Sequence, residues 1–162
     1  MYHKPLLILL ALLAGPAVAL QSDREQPIRI QADRVLVDEA RKVSTYEGNV
    51  ELTQGTLHVT AERVEVLRSA NGVERLVATG APVTFRQRPD DSDDDIRGQA
   101  ARVEYSASSA LLELIGDAHL WQGRDEFSGP HISYESAANR VRAEGKGRVQ
   151  AIIHPQNGKA GQ

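Results

Sequence analysis

The sequence contains no cysteine among its 162 residues, which excludes disulfides, thiolate nucleophiles and cysteine-ligated metal sites. Aromatic residues make up only 4% of the chain, so the interior must be aliphatic, with few rigid aromatic anchors. Such an interior is typical of an ordinary Val/Leu core, and also of a groove that holds flexible hydrocarbon. Composition alone favours the ordinary core.

Motifs of several enzyme classes are missing as well. No serine lies in a Gly-x-Ser-x-Gly elbow, and Gly145-Lys146-Gly147 is too short for a phosphate-binding Walker loop. The five histidines include no His-x-His or His-x-x-x-His pair, which argues against a zinc or other transition-metal site. We therefore predict a protein that is not an enzyme and that uses neither a cofactor nor a metal.

Charge and periodicity exclude two further classes. The formal net charge of −3 leaves no broad basic surface for nucleic acid. No stretch of ten or more residues carries the apolar spacing of an amphipathic helix, whereas turn signals recur every eight to twelve residues. This pattern predicts an all-β fold of many short antiparallel strands.

The first residues are typical of a secretory signal peptide. Lys4 precedes an apolar run that is short for a membrane span and ends at the small-x-small cleavage site Ala17-Val18-Ala19. We predict cleavage at about Ala19, which removes residues 1–19. An uncleaved membrane anchor is the alternative.

The remaining chain divides into one domain and two polar ends. Residues 20–27 and 155–162 are polar and predicted to be flexible, which leaves 28–154 as a single β domain. Five aspartates crowd into the stretch from Asp90 to Asp95, without the ligand spacing, central glycine or closing glutamate of an EF-hand. We predict a solvated loop there.

A short sequence motif, the repeated phrase, recurs four times in this domain. Half-way through each copy, the apolar residues move from one set of alternate positions to the other. In the first copy, small or apolar residues occupy positions 28, 30 and 32, and then 35 and 37. Such a slip joins two short strands through a bend or bulge, so that both keep an inward face. The four copies span residues 28–37, 57–66, 96–105 and, more weakly, 125–134.

The copies pair into a larger repeat with an offset of 68 residues. At this offset Gly48 corresponds to Gly116 and Gly55 to Gly123, so the domain contains two copies of one unit. Repeated bends predict one long sheet folded over itself, a rolled or jellyroll-like slab around an aliphatic interior. The open edges at the ends of such a slab invite another strand.

Polar side chains that could carry chemistry fall on outward positions by parity. His58 and His119 lie between inward residues, and Glu51, Glu62, Glu65 and Glu104 also occupy outward positions. A pair of catalytic carboxylates is assembled in space rather than along a chain, so a carbohydrate-active β enzyme stays open as a minor alternative. A structural β-repeat protein with a closed core is another.

Five short segments, taken in their order and spacing, form a pattern that covers residues 27–153. They are Gln26-Pro27-Ile28 with Ala32-Asp33, Tyr46-Glu47-Gly48-Asn49-Val50 with Leu52, Gln54 and Gly55, Ala61-Glu62-Arg63-Val64, Gly80-Ala81-Pro82-Val83 with Phe85, and Gly116-Asp117-Ala118 with Leu120. Each segment is weakly specific alone. Together they resemble the LptA (OstA-like) family of periplasmic lipopolysaccharide-transport proteins.

This resemblance implies a twisted antiparallel β-jellyroll, open at both ends, in the periplasm. It also implies that the lipid A chains of lipopolysaccharide rest in a groove and that molecules join head to tail into a bridge between the two membranes. The implied partners are an LptC-like inner-membrane protein at the N-terminal edge and an LptD-like outer-membrane protein at the C-terminal edge. Trp121 and the Asp90–Asp95 loop lie outside the pattern and receive no role.

We predict that inward residues of this domain form the groove. Some of them are expected to contact lipid near its opening, and the others to form plain core. They are Ile28, Ile30, Val35, Val37, Val50, Leu52, Val59, Val64, Phe85, Val103, Tyr105, Leu114, Leu120, Phe127 and Tyr134.

Overall fold

The structure, a computed structural model, describes residues 21–90 and 92–155. The predicted signal peptide and the tail from residue 156 lie outside the described residues. The elements are α1 (Gln21–Arg24), β1 (Arg29–Gln31), β2 (Arg34–Asp38), β3 (Val43–Gln54), β4 (Leu57–Ser69), β5 (Gly72–Gln87), β6 (Ile96–Ser106), β7 (Leu111–Gln122), β8 (Asp125–Glu135), the 3-10 turn Ser136–Ala138, β9 (Arg140–Glu144) and β10 (Gln150–Ile152). The all-β prediction is confirmed.

The ten strands form one unclosed antiparallel sheet. Strands β3 to β8 pair in sequence order, because each is joined to the next by a short connection. At one end β1 and β2 pair with the two halves of β3, and at the other end β10 and β9 pair with the two halves of β8. The described sheet therefore begins and ends in short edge strands.

Each long strand bends near its middle, as the parity slips predict. Between β3 and β4 the register shifts after Glu47, where Gly48 and Asn49 stand opposite one residue of β4. Both have positive φ angles, +80° and +45°, which glycine and asparagine adopt more readily than other residues. Similar register shifts between the neighbouring strands from β4 to β8 complete a row of bends across the sheet.

The backbone repeats with the offset found in the sequence. Strand β7 lies 68 residues after β3 at both its ends, Val43–Gln54 against Leu111–Gln122. The glycines with positive φ angles repeat too. Gly116 has a φ of +84° where Gly48 has +80°, and Gly123 has a φ of +59° where Gly55 has +57°. The structure thus consists of two copies of a bent-strand unit.

The row of bends folds the sheet into two layers with the core between them. Layer 1 contains β1, β10 and the adjoining halves of β3 to β8; layer 2 contains β2, β9 and the other halves. Each layer contributes a cross-strand row of inward residues, Leu52, Val59, Phe85, Gly98 and Leu120 in layer 1, and Val64, Ala78, Val103, Leu114 and Ile132 in layer 2.

Gly98 shows how closely the two layers approach each other. A Cβ placed on it would lie 2.9 Å from Cδ2 of Leu114 in layer 2, and it would also clash with the ring of Phe85 in its own layer. The missing side chain therefore makes room for Phe85 between the layers. Leu114 is fully buried and Phe85 is 7% exposed, so this contact lies within the core.

Candidate functional site

Opposite the bends, both layers end in turns, and the space between these turns is the mouth of the two-layer fold. On layer 1 the mouth is bordered by the turns at 54–57 and 122–125 and by the described parts, 87–90 and 92–96, of the connection from β5 to β6. On layer 2 it is bordered by the turns at 38–43, 69–72, 106–111 and 135–140. At the mouth each strand ends in its own layer, whereas at the bends each long strand continues from one layer into the other. The mouth is thus the side on which no continuous strand joins the two layers.

An apolar cavity of about 130 Å³ lies between the layers near the mouth. Its apolar lining comes from both layers: Leu52, Leu57, Val59, Phe85 and Ile96 from layer 1, and Leu76, Val103, Tyr105, Leu112 and Tyr134 from layer 2. Ala110 and the polar residues Asp23, Arg24, Gln54, Gln87 and Ser136 complete it. Apolar cavities of roughly 150 Å³ admit a molecule the size of benzene, so this one matches a short piece of hydrocarbon.

Six of the fifteen predicted groove residues line this cavity. They are Leu52, Val59, Phe85, Val103, Tyr105 and Tyr134. Val50, Val64, Leu114 and Leu120 are at most 2% exposed and lie in the core outside the lining, while Ile30 and Phe127 are half-buried against it. The structure therefore separates cavity lining from plain core, a distinction that parity could not make.

Three predicted groove residues are exposed. Ile28 is 40% exposed, Val35 55% and Val37 48%. Val35 and Val37 pair with Tyr46 and Ser44 of β3, so they keep the inward parity. They are exposed because β2 is an edge strand, with a neighbour on one side only.

Sequence reasoning missed five apolar residues of the cavity, Leu57, Leu76, Ile96, Ala110 and Leu112. Four of them lie in the same alternating pattern as the predicted residues, but near strand ends, and Ala110 lies in the turn before β7. A signal was available, because the end of a strand opposite its bend must lie at the mouth. The distance of a residue from the bend, and not its parity alone, indicates whether it lies near the mouth.

The N-terminal segment crosses one side of the mouth. Residues 20–27 are predicted to be flexible, yet the structure has the helical turn α1 there, with Asp23 only 7% exposed. The Asp23 carboxylate accepts hydrogen bonds from the backbone N–H of Thr56 at 2.8 Å, the Thr56 hydroxyl at 2.7 Å and the Gln87 amide at 3.0 Å. Asp23 thus attaches α1 to two turns of layer 1.

Next to this anchor, Arg24 reaches across to layer 2. Its Nη2 donates a hydrogen bond to the Tyr105 hydroxyl at 3.3 Å. The Gln54 amide also donates to the backbone oxygens of Arg24 and Gln26, at 3.4 and 3.1 Å. The segment is therefore a polar bridge between the layers at the N-terminal side of the cavity.

Replacing Asp23 by asparagine should lower the free energy of unfolding by about 2 kcal/mol at neutral pH, since hydrogen bonds to a buried charge are lost. Burial raises the pKa of the Asp23 carboxyl, but the hydrogen bonds from Thr56 and Gln87 together outweigh it and hold the pKa below its ordinary value. The lowered pKa means that the carboxylate stabilises the fold above the unfolded-state pKa of about 3.9, and that this contribution is lost as the pH falls through the folded-state pKa.

Urea unfolding of the wild type and of Asp23→Asn from pH 7 down to pH 2 measures this contribution. The difference in stability between the two proteins should be constant at neutral pH and should shrink in acid. Thr53→Ala, on the neighbouring strand end and without a hydrogen bond to Asp23, is the control. An acid-independent difference would contradict a charged anchor.

A second polar bridge closes the C-terminal side of the mouth. Gln122, at the end of β7 in layer 1, donates through Nε2 to Oδ1 of Asn139 in layer 2 at 3.2 Å. The Tyr134 hydroxyl donates to the same oxygen at 3.4 Å. Burial raises the pKa of Tyr134, so its hydroxyl remains protonated at neutral pH and keeps donating.

His58 and His119 point outward, as parity predicts. Each histidine of the described residues lies beside a carboxylate: His58 beside Glu51 at 2.7 Å, His119 beside Glu126 at 3.2 Å, His131 beside Glu113 at 3.3 Å and His154 beside Asp125 at 3.8 Å. Within residues 21–90 and 92–155, no three metal-ligating side chains come together. Among those residues, no helix is long and apolar enough to cross a membrane.

Comparison with known proteins identifies the family. The family model described as LptA/(LptD N-terminal domain) LPS transport protein matches residues 29–140, which include β1 to β8 and the whole cavity lining from Leu52 onward. The chain belongs to this LptA/LptD N-terminal domain family. The resemblance carried by the five sequence segments is thereby confirmed.

Individual members of the family agree with this assignment. The chain is 32% identical to the lipopolysaccharide export system protein LptH of Pseudomonas aeruginosa, over 90% of this chain and 89% of the relative. It is 33% identical to the export protein LptA of Escherichia coli K12, over 86% of this chain and 77% of the relative. These LptA-family relatives are components of lipopolysaccharide export.

A solved structure shows the same fold. The crystal structure of LptH, the LptA-homologous periplasmic component of the lipopolysaccharide transport device of Pseudomonas aeruginosa, superimposes with a TM-score of 0.77 at 30% identity. The match covers 83% of this chain and 99% of that chain. The bent two-layer sheet is thus the architecture of this LptA-family member.

Proposed function

We propose that this protein carries lipopolysaccharide through the periplasm by holding its acyl chains between the two layers. The observation that carries the proposal is the apolar cavity at the mouth, because both layers contribute aliphatic side chains to it. The export role of the LptA and LptH relatives supports the same substrate. The role is non-enzymatic: the protein binds and passes on a lipid.

The cavity is too small for whole acyl chains, so the layers part when lipid enters. At about 130 Å³ it holds a short hydrocarbon piece. The described polar bridges at the mouth, Arg24 to Tyr105 and Gln122 to Asn139, are single hydrogen bonds, each worth about 1 kcal/mol. On the opposite side the continuous strands through the bends keep the layers joined.

Partial burial suits a carrier that must also release its cargo. Burying one methylene gains roughly 0.8 kcal/mol, so complete burial of several long acyl chains would make release impossibly slow. A cavity open along its mouth buries only part of each chain. Its aliphatic lining presents a uniform surface, on which chains can slide from one molecule to the next.

Edge strands at both ends of the sheet provide surfaces for joining molecules head to tail. On β2, Val35, Leu36 and Val37 are 48–68% exposed. At the other edge, Ile152 of β10 and the following Ile153 are 42% and 61% exposed. Pairing the N-terminal edge of one molecule with the C-terminal edge of another would cover these apolar residues and extend the sheet. The interior would then continue from one molecule to the next.

The two ends of such a bridge require different partners. We propose an LptC-like inner-membrane protein at the N-terminal edge and an LptD-like outer-membrane protein at the C-terminal edge, reached after cleavage of the signal peptide at about Ala19. The sequence has no nucleotide-binding motif, so the energy for transport comes from a partner.

Photo-crosslinking tests where the lipid lies. A photoreactive residue at Phe85, inside the cavity, should label bound lipopolysaccharide at least about tenfold more than one at Glu51, which points outward on β3. Ile30, inward on the edge strand β1, should also label. Equal labelling at the three positions would refute the cavity as the lipid site.

The rival reading, a structural β-repeat protein with a closed core, draws support from the small size of the cavity. It predicts no lipopolysaccharide binding by the folded protein, whatever the position of the photoreactive residue. Direct binding measured with purified lipopolysaccharide, with phospholipid as the matched control, separates it from a carrier. Melting curves of each variant show that the fold is intact.

A further inference from the structure

A depression on the outer face of layer 1 lies directly behind the cavity. The outer depression is formed by the side chains of His58, Thr84, Arg86, Arg97, Gln99 and Trp121, over the backbone of Phe85 and Gly98. It contains two guanidinium groups, two neutral polar side chains and the only tryptophan of the sequence. None of the residues that line it is acidic.

Aromatic contacts hold Arg97 in this depression. Its guanidinium carbon lies 5.8 Å from the centroid of the Trp121 ring, within the range of a cation–π contact. The Trp121 ring in turn stacks on His119, with 5.5 Å between the ring centroids and 14° between the planes. This arrangement positions the guanidinium without neutralising its charge.

The carboxylates around the depression already have partners. Glu51 pairs with His58, Glu126 with His119, and Asp95 with both Arg86 and Arg88, at 3.5 and 2.9 Å. Arg97 forms no ion pair with any described residue. A cation with its donors free beside a second, half-compensated cation is suited to an anion.

The depression also lies at the mouth rather than in the middle of the sheet. Arg86 and Arg97 are paired across β5 and β6, and the next pair, Gln87 with Ile96, is the last before the turn. Trp121 occupies the equivalent position of β7. Successive residues of a strand face opposite sides of the sheet. The apolar cavity and the cationic depression therefore lie on the inner and outer faces of the same part of layer 1, its edge at the mouth, which we call the lip.

We propose that the outer depression binds a phosphate ester on the sugar headgroup of the amphiphile whose acyl chains occupy the cavity. This inference rests on the proposed function. Chains that enter over the lip of layer 1 leave their headgroup beside Arg86 and Arg97. The guanidinium of Arg97 donates to the phosphate oxygens, and Gln99 and Thr84 are within the same depression to donate to sugar hydroxyls.

Trp121 provides a direct readout, because the sequence contains one tryptophan. The protein is titrated with a water-soluble glucosamine disaccharide bisphosphate that lacks acyl chains, and Trp121 fluorescence is recorded. We expect a saturable change with the phosphorylated sugar, and none with the unphosphorylated disaccharide. Arg86→Gln/Arg97→Gln should weaken the binding by about tenfold or more, since charge-assisted hydrogen bonds are lost.

Arg142→Gln is the matched control. Arg142 is exposed on β9 in layer 2 and, like Arg97, has no ion pair with a described residue, so its replacement should leave the titration unchanged. Unchanged binding by Arg86→Gln/Arg97→Gln would overturn the proposal, as would equal binding of the unphosphorylated sugar. Equal binding of inorganic phosphate would also overturn it, by assigning the depression to free phosphate.

The same double variant distinguishes this inference from the proposed function. Lipopolysaccharide labelling from Phe85 that persists in Arg86→Gln/Arg97→Gln, together with undiminished headgroup binding, would overturn the phosphate site and leave the lipid cavity intact. If a photoreactive residue at Phe85 of the otherwise unchanged protein does not label lipopolysaccharide, the cavity is not the lipid site and the proposed function itself fails.

Discussion

A cross-link across the mouth should stop lipopolysaccharide uptake. Gln122→Cys and Asn139→Cys place two thiols on opposite layers, where the native side chains are joined by a hydrogen bond of 3.2 Å. A short bis-maleimide reagent would then hold the layers together covalently. The native hydrogen bond, worth only about 1 kcal/mol, can break when lipid enters, but the covalent link cannot. Because whole acyl chains need the layers to part, we expect lipopolysaccharide labelling from Phe85 to fall by about tenfold or more.

The absence of native cysteine makes the cross-link specific to the introduced pair. Thr45→Cys/Glu65→Cys is the matched control: the two residues are paired directly on the neighbouring strands β3 and β4 of layer 2, so the same reagent joins them without spanning the mouth. Uncross-linked double variants measure the effect of the substitutions themselves. Full uptake by the cross-linked Gln122/Asn139 protein would mean that lipid does not enter by separation of the layers.

Leu114→Ala should destabilise the fold by about 3 to 5 kcal/mol, as expected for removing three buried carbons from a closely packed core. Leu114 is fully buried, and it lies between the layers where Gly98 makes room for Phe85. The cavity formed by the truncation cannot collapse easily, because two continuous layers surround it. Urea unfolding at neutral pH measures the change.

Leu36→Ala is the control for this substitution. Leu36 is 68% exposed on the edge strand β2, so the same chemical change should cost less than about 1 kcal/mol. Dilute protein should be used, since Leu36 lies on the proposed surface for joining molecules. Similar losses for the two variants would show that the space around Leu114 is less tightly packed than its burial indicates.

Periodicity in the sequence was enough to predict the strands and their bends. In β4 the apolar parity changes between Ala61 and Val64, opposite the register shift between Glu47 and Val50 of β3, because a bulge at the bend changes which residues of the paired strands face inward. The 68-residue repeat was also visible, since equal backbone angles at Gly48 and Gly116 need the same residue type. These features are local, and local patterns are what a sequence displays directly.

The candidate site was predicted less completely than the fold. Parity indicates which face of a strand is inward, but it does not measure the distance from the bend. Leu114 and Phe85 therefore looked equivalent, although the first is core and the second lines the cavity. Asp23 gave no signal at all, because its hydrogen-bond partners Thr56 and Gln87 lie 33 and 64 residues away.

The sequence by itself determined an all-β protein with an aliphatic interior, two copies of a bent-strand unit and, by resemblance, its family. Each of these follows from alternation and spacing within short stretches, where neighbouring residues constrain one another. Only the tertiary structure decided where the layers meet, which polar side chains bridge the mouth, and that Arg86, Arg97 and Trp121 lie behind the cavity. Those relations join residues on separate strands, and they exist only after the sheet has folded over.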